Sequence, residues 1–224
     1  MSGTKKPHAG SRRHVAFFSE FLKHPLQIGS LIPSSHFLER RILEAAGIAS
    51  ARTVVELGSG TGGTTRAILQ AMEPVSKLLS IEINPNFHSI IRDIQDERLI
   101  AHLGSACELK EILSVYGLDA PETVISGIPF STMPRNIGCQ VVEAISSTLA
   151  PEGCFVAYQL SDRVATLCRP YLEMEQMELE LINVPPMRVY RWRKNGFHRD
   201  QMAKTHPEKA GVFPADKPGP DKTR

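Results

Sequence analysis

Three glycines, Gly58, Gly60 and Gly62, follow the apolar run T-V-V-E-L, within the segment V-V-E-L-G-S-G-T-G over residues 54–62. A β-branched apolar run that ends in glycines reads as a buried strand turning abruptly into a helix. Glycine reaches backbone conformations closed to other residues, and its missing Cβ lets a ligand approach the main chain. A crevice at the carboxyl end of a strand is where open α/β sheets bind small molecules. Glu82 ends the next apolar segment, K-L-L-S-I-E-I, 22 residues beyond Gly60. A carboxylate there accepts both hydroxyl hydrogen bonds of an adenosine ribose. The chemistry to expect is binding of a nucleoside-containing cofactor. Ser59 and Thr61 fill the loop between the glycines, and Ile83 follows the acid.

Two cofactor classes compete for this pattern. Gly58, Gly60 and Gly63 also satisfy G-x-G-x-x-G, the dinucleotide fingerprint. Dinucleotides need helix N-terminal amides free to meet a pyrophosphate. S-adenosylmethionine has no phosphate, and its ammonium and sulfonium groups favour nearby acids. Glu56, just before the glycines, puts a carboxylate at the strand end, placed to hold the methionine part directly or through water. A second motif also favours S-adenosylmethionine. The short apolar run T-V-I-S leads into G-I-P-F. In methyltransferases acting on nitrogen, this position is commonly an N-P-P-Y-like tetrapeptide. Its polar group and a main-chain carbonyl face the acceptor nitrogen, and its aromatic residue packs beside it. Ser126, Gly127, Pro129 and Phe130 supply an analogous turn. Methyl transfer is an in-line displacement on an activated carbon, so positioning dominates and no metal is required. An amine acceptor must first lose its proton, because only the neutral nitrogen has a lone pair.

The elements that must hold these residues alternate regularly. Periodicity and turn signals predict strands over 53–57, 77–83, 99–103, 123–126, 153–159, 177–184 and 187–193. Helices are predicted over 37–46, 64–72, 86–94, 108–115, 135–149 and 163–172, the first capped by Ser34 or Ser35. This order predicts an α/β, Rossmann-like fold: a mostly parallel seven-stranded sheet with helices on both faces. The last two strands, joined through Pro185 and Pro186, are expected to form a C-terminal antiparallel hairpin. Residues 51–194 then make up the catalytic domain, and 1–11 and the basic stretch 195–224 read as disordered. The segment 12–50 begins with a short amphipathic helix over 12–24, in which Val15, Phe18, Phe21 and Leu22 recur at helical spacing before Pro25.

Composition narrows the choices further. The chain has 224 residues, 42% hydrophobic and 22% charged, and suits one α/β domain with short appendages. No apolar run approaches the roughly 18–20 residues that span a bilayer, so a cytoplasmic protein is expected. Cys107, Cys139, Cys154 and Cys168 include no zinc-ligand spacing, and no metal site is expected. Net charge is +2 but uneven: residues 1–50 carry +4, 51–187 carry −8 and 188–224 carry +6. Basic ends on an acidic core suggest contact with an anionic surface, phospholipid or nucleic acid.

Taken together, F-L-K-H-P-L-Q-I-G-S-L-I-P-S-S (21–35), V-V-E-L-G-S-G-T-G, I-E-I-N-P, S-G-I-P-F and P-P-M-R-V-Y-R resemble the soluble bacterial phospholipid N-methyltransferases. The resemblance spans about residues 17–193, and 21–35 is its most specific part. It implies the class I methyltransferase fold and stepwise methylation of phosphatidylethanolamine towards phosphatidylcholine; relatives methylate ornithine lipids. It implies cofactor contacts at Glu56, Gly58, Gly60 and Glu82, and an acceptor pocket that includes 126–130. The third-strand motif of such enzymes usually reads G-D-A, its acid taking the adenine amino group. Here it is Gly104-Ser105-Ala106, which keeps one acceptor without charge, and Glu108 is the alternative acid.

The resemblance also gives the helix over 12–24 a role on an anionic membrane, with the protein peripheral on the inner face of the cell membrane and a phospholipid as substrate. A lid over its own domain is the competing role. Arg188, Arg191, Arg193 and Lys194 would either attract lipid phosphate or form a solvated strand face. The family is a cousin of the ribosomal RNA adenine dimethyltransferases, so RNA adenine methylation is the alternative activity. Against it, the chain lacks room for their additional helical domain, and its aromatic content is only 6%. A non-catalytic lipid-binding module is the third possibility.

Overall fold

The structure, a computed structural model, describes residues 35–194. The expectations for 1–11, for the helix over 12–24 and for 195–224 lie outside the described residues. Strand β1 (Thr53–Leu57) is buried at every position, as a strand covered by helices on both faces must be. It pairs in parallel with β2 (Lys77–Glu82) on one side and β4 (Thr123–Ser126) on the other. Strand β3 (Leu99–Leu103) continues the sheet beyond β2, and β5 (Cys154–Gln159) beyond β4. Strand β7 (Met187–Lys194) lies antiparallel to β5, and β6 (Leu172–Glu180) forms the far edge, antiparallel to β7. The order β3-β2-β1-β4-β5-β7-β6 is the expected seven-stranded, mostly parallel Rossmann-like sheet with its C-terminal hairpin.

Helices α1 (His36–Ala46) and α2 (Gly63–Ala71) cover one face. Leu38, Ile42 and Ile68 pack there with Val54, Leu78 and Val156. Helix α3 (Pro85–Arg92) starts at Asn84, whose side chain accepts from the Asn86 amide. Helices α4 (Leu109–Val115), α5 (Arg135–Thr148) and α6 (Arg163–Cys168) cover the opposite face, where Ile112, Val142 and Val164 meet Val55, Leu79 and Phe155. Helix α1, grouped by sequence with the N-terminal segment, is built into this core: Leu38, Ile42 and Ala46 are buried. It runs against the parallel strands. The Ala46 carbonyl accepts from Thr123 Oγ1 (3.0 Å) at the start of β4, and the Ser35 amide donates to Asn183 Oδ1 (3.1 Å) beyond the end of β6.

The hairpin departs from the sequence reading in extent. The helix predicted over 163–172 stops at Cys168, and the strand predicted over 177–184 runs from Leu172 to Glu180. Strand β6 is an edge strand, buried only at its two ends, so hydrophobic alternation barely marks it. Pairing with β7 and opposite charge define it instead. Glu175 accepts from Arg191 (2.7 Å) and forms an ion pair with Arg193 (2.6 Å), and Arg41 of α1 bridges Glu178 and Glu180. Lys194 Nζ donates to the Leu149 carbonyl. These contacts engage Arg191, Arg193 and Lys194 within the domain. Among the described residues no helix is long and apolar enough to cross a membrane.

Candidate active site

The chain leaves β1 towards β2 on one side of the sheet and leaves β4 towards β5 on the other, so a crevice opens between the loops that follow β1 and β4. The loops are tied to the strand ends: the Gly58 amide donates to the Ile81 carbonyl (2.9 Å) and the Gly127 amide to Leu57 (3.0 Å). They also touch each other. A Cβ on Gly127 would lie 2.3 Å from Tyr158 Oη and 2.9 Å from the Gly58 carbonyl. Only glycine permits this approach. Gly127→Ala is therefore expected to destabilise the fold by about 1–3 kcal/mol and to loosen the crevice. Thermal melting with and without cofactor checks this; an unchanged melting temperature would show that the loops separate without cost.

Glu82, 5% exposed, sits at the end of β2 with both carboxylate oxygens aimed at the turns. Oε2 accepts from the Gly60 amide (3.0 Å) and Oε1 from the Asn84 amide (2.8 Å). Burial pushes its pKa up, and these amides pull the other way. Beside it lies a narrow pocket, which Gly58, Glu82, Ile83, Ser105 and Ala106 line, each named from the sequence. Ile81, Ile128 and Val141 supply apolar walls. Apolar walls and a carboxylate at the edge supply the chemistry a nucleoside needs, faces for a purine and an acceptor for ribose hydroxyls. Ser105 Oγ accepts from the Cys107 amide (3.3 Å), which fixes it at the pocket wall. Glu108 is half-buried and does not line the pocket.

Glu56 lies beneath the glycine loop and not in the pocket. Its Oε2 accepts from Thr65 Oγ1 (2.6 Å) at the start of α2 and from Ser80 Oγ (2.9 Å) on β2. Oε1 is buried without a partner, as is Ser59 Oγ in the loop above. Burial raises the Glu56 pKa to about 7, and the neighbouring Glu82 charge adds to the rise. Two acids under one loop suit a cationic ligand. They also resolve the overlap with the dinucleotide fingerprint: the Gly60 amide is engaged by Glu82, and a pyrophosphate would face both carboxylates. Gly60 and Gly62 shape the loop with positive φ, and Thr61 is exposed at its tip.

The acceptor turn divides in two. Gly127 and Pro129 are half-buried, while Ser126 and Phe130 are fully buried. Ser126 Oγ accepts from the Ile128 amide (3.2 Å), so it braces the turn. The Phe130 ring packs in the core with Met133 and Ile137 and anchors the turn from below. Sequence reasoning missed the residue that clamps it. Gln159, at the end of β5, donates from Nε2 to the Ile128 carbonyl (2.8 Å) and accepts from the Phe130 amide at Oε1 (3.2 Å). A lone amide ending the apolar run C-F-V-A-Y-Q was the available signal. Tyr158 was missed too: its hydroxyl lies 3.4 Å from Thr64 Oγ1, under the contact between the two loops.

No family model matches the chain. The chain is 32% identical over 141 residues to an ornithine lipid N-methyltransferase of Singulisphaera acidiphila, covering 62% of this chain and 73% of that protein. It is 29% identical over 135 residues to ribosomal RNA small subunit methyltransferase A of Rhodococcus opacus, but spans only 42% of that protein's length. Among solved structures, N-methyltransferase NodS of Bradyrhizobium japonicum superimposes with a TM-score of 0.59 at 11% identity, over 70% of this chain and 93% of that one. NodS has also been solved in complex with S-adenosyl-L-homocysteine. At such low identity this likeness concerns the fold alone.

Proposed function

The chain belongs to the class I S-adenosylmethionine-dependent methyltransferases, in the family of the ornithine lipid N-methyltransferase, and on that premise we propose that its acceptor is the amine of a membrane lipid headgroup. Phosphatidylethanolamine and ornithine lipid are the two candidates, since each presents a primary amine. The observation that carries this reading is the juxtaposition of the pocket beside Glu82 and the acceptor turn, which share Ile128. The bound cofactor supplies a methyl carbon activated by a sulfonium. The residues of this chain do the rest by placement. Glu82 accepts the ribose hydroxyls, Ser105 and Ala106 border the adenine, and Glu56 with the 58–62 loop favours the cationic methionine end. Gln159, Ser126 and Phe130 keep the turn rigid, so oxygens of the turn hold the neutral amine with its lone pair in line. In this reading the protein works as a peripheral enzyme on an anionic membrane face.

The test incubates purified protein with labelled S-adenosylmethionine and one of three acceptors: vesicles containing phosphatidylethanolamine, vesicles containing ornithine lipid, or ribosomal RNA. Label is expected in a lipid. Label in RNA alone would overturn the proposal in favour of the second reading, which the Rhodococcus relative supports. Absence of label from every acceptor, with intact vesicle binding, would favour a lipid-binding module.

A further inference from the structure

The turn joining β6 and β7 lies at the same end of the sheet as the crevice, because β6 runs in the direction of β5 and its carboxyl end pairs with the start of β7, whose Arg188 pairs with Gln159. The turn reads L-I-N-V-P-P and carries no charge. Leu181 (66% exposed), Ile182 (61%) and Val184 (78%) all point into solvent. They are held there by a polar base. Asn183, 4% exposed, donates to the Pro185 carbonyl (2.9 Å) and accepts from the Ser35 amide, and the Ile182 amide donates to Glu180 Oε1 (2.9 Å). A loop fastened through its one polar side chain keeps its apolar ones outward.

Leu160, whose carbonyl accepts from Arg188 (2.5 Å), and Phe37 at the start of α1 are further exposed apolar side chains near this end. Arg135, Arg163 and Arg188 stand at this end of the sheet, and none lies within 4.0 Å of a carboxylate among the described residues. Glu180 at the base of the turn is held by Arg41 and the Ile182 amide, and Asp162 and Glu39 are the other acids near this rim. An uncharged apolar tip at the same end of the sheet as guanidinium groups free of carboxylates complements an anionic bilayer: aliphatic side chains enter the headgroup boundary and arginines meet phosphates. A second copy of this chain would bring arginine against arginine across the same patch.

We propose that the β6–β7 turn is a membrane-docking element that inserts Leu181, Ile182 and Val184 into an anionic lipid surface and sets the crevice against the headgroups. This rests on the lipid-amine reading above. The test compares the full-length chain with its Leu181→Ser/Ile182→Ser/Val184→Ser variant. Sedimentation is measured with vesicles of phosphatidylethanolamine, ornithine lipid and phosphatidylglycerol. Methylation is measured on those vesicles and on short-chain forms of both amine lipids below their critical micelle concentrations. The variant is expected to lose at least ~10-fold in vesicle partitioning and vesicle turnover. Short-chain turnover and cofactor affinity should stay within about twofold, which also shows that the variant folds. An Ile182→Trp variant should show blue-shifted fluorescence on vesicles.

Unchanged partitioning of the triple variant would overturn the docking role. So would a dimeric wild type that becomes monomeric in the variant while partitioning stays the same. If the wild type methylates neither lipid form, the lipid-amine reading falls by itself, and the partitioning result still decides whether the tip binds membrane.

Discussion

Glu82→Ala is expected to weaken S-adenosylmethionine binding by ~100-fold or more. Hydrogen bonds to a charged group are each worth about 1.5–3 kcal/mol, and two ribose hydroxyls lose theirs together, which amounts to about 3 kcal/mol or more. The loss has a second source. The Glu82 carboxylate also receives the Gly60 and Asn84 amides, so alanine leaves the glycine loop without its tie to β2. Calorimetric titration of the purified variant measures the effect. An affinity equal to wild type would remove Glu82 from the cofactor site.

Glu56→Gln is expected to separate stability from binding. In the folded protein the Glu56 pKa is about 7, above its ordinary value of 4.5. The fold therefore prefers the protonated acid. That preference contributes stability that is fully present below about pH 4.5 and is lost as pH rises through about 7. Without cofactor, the Glu56→Gln variant should be more stable than wild type at pH 8 by on the order of 2–3 kcal/mol, at about 1.4 kcal/mol per pKa unit. The melting temperature should rise by several degrees. Cofactor binding should move the other way. A cation near the loop favours the ionised acid, so wild-type affinity should increase between pH 6 and 8, with a proton released on binding. The variant should bind more weakly and with a flatter pH profile. Melting curves and calorimetry in buffers of different ionisation enthalpy test both halves, and a parallel pH profile in the two proteins would exclude Glu56 as the titrating group.

The glycine loop, Glu82 and the Gly104-Ser105-Ala106 turn were legible in the sequence because each is a local event: a β-branched run followed at once by a turn residue. Their convergence on one pocket follows from parallel strands that end at the same level. Gln159, Tyr158 and Val141 were not legible in the same way. They belong to β5 and α5, and only sheet pairing and helix packing bring them to loops some thirty residues away. The Phe130 ring looked like a group facing the acceptor because motifs record residue type and not direction; the structure turns it into the core. The first half of strand β6, residues 172–176, escaped because hydrophobic alternation describes a half-buried surface, and an edge strand held by ion pairs has little of it there.

That same edge has a consequence for how the molecule behaves in a crowded cell. A terminal strand offers unpaired main-chain groups on which a further strand can add, the starting point of open-ended aggregation. Strand β6 carries exposed Glu173, Glu175 and Gln176, and its register with β7 shifts between Met174 and Gln176. Both features discourage a neighbour: the carboxylates repel a second copy of themselves, and the irregularity spoils the straight ladder an incoming strand would need. The protein can thus display an apolar tip at one end of this hairpin while the adjoining strand stays closed to self-templated growth.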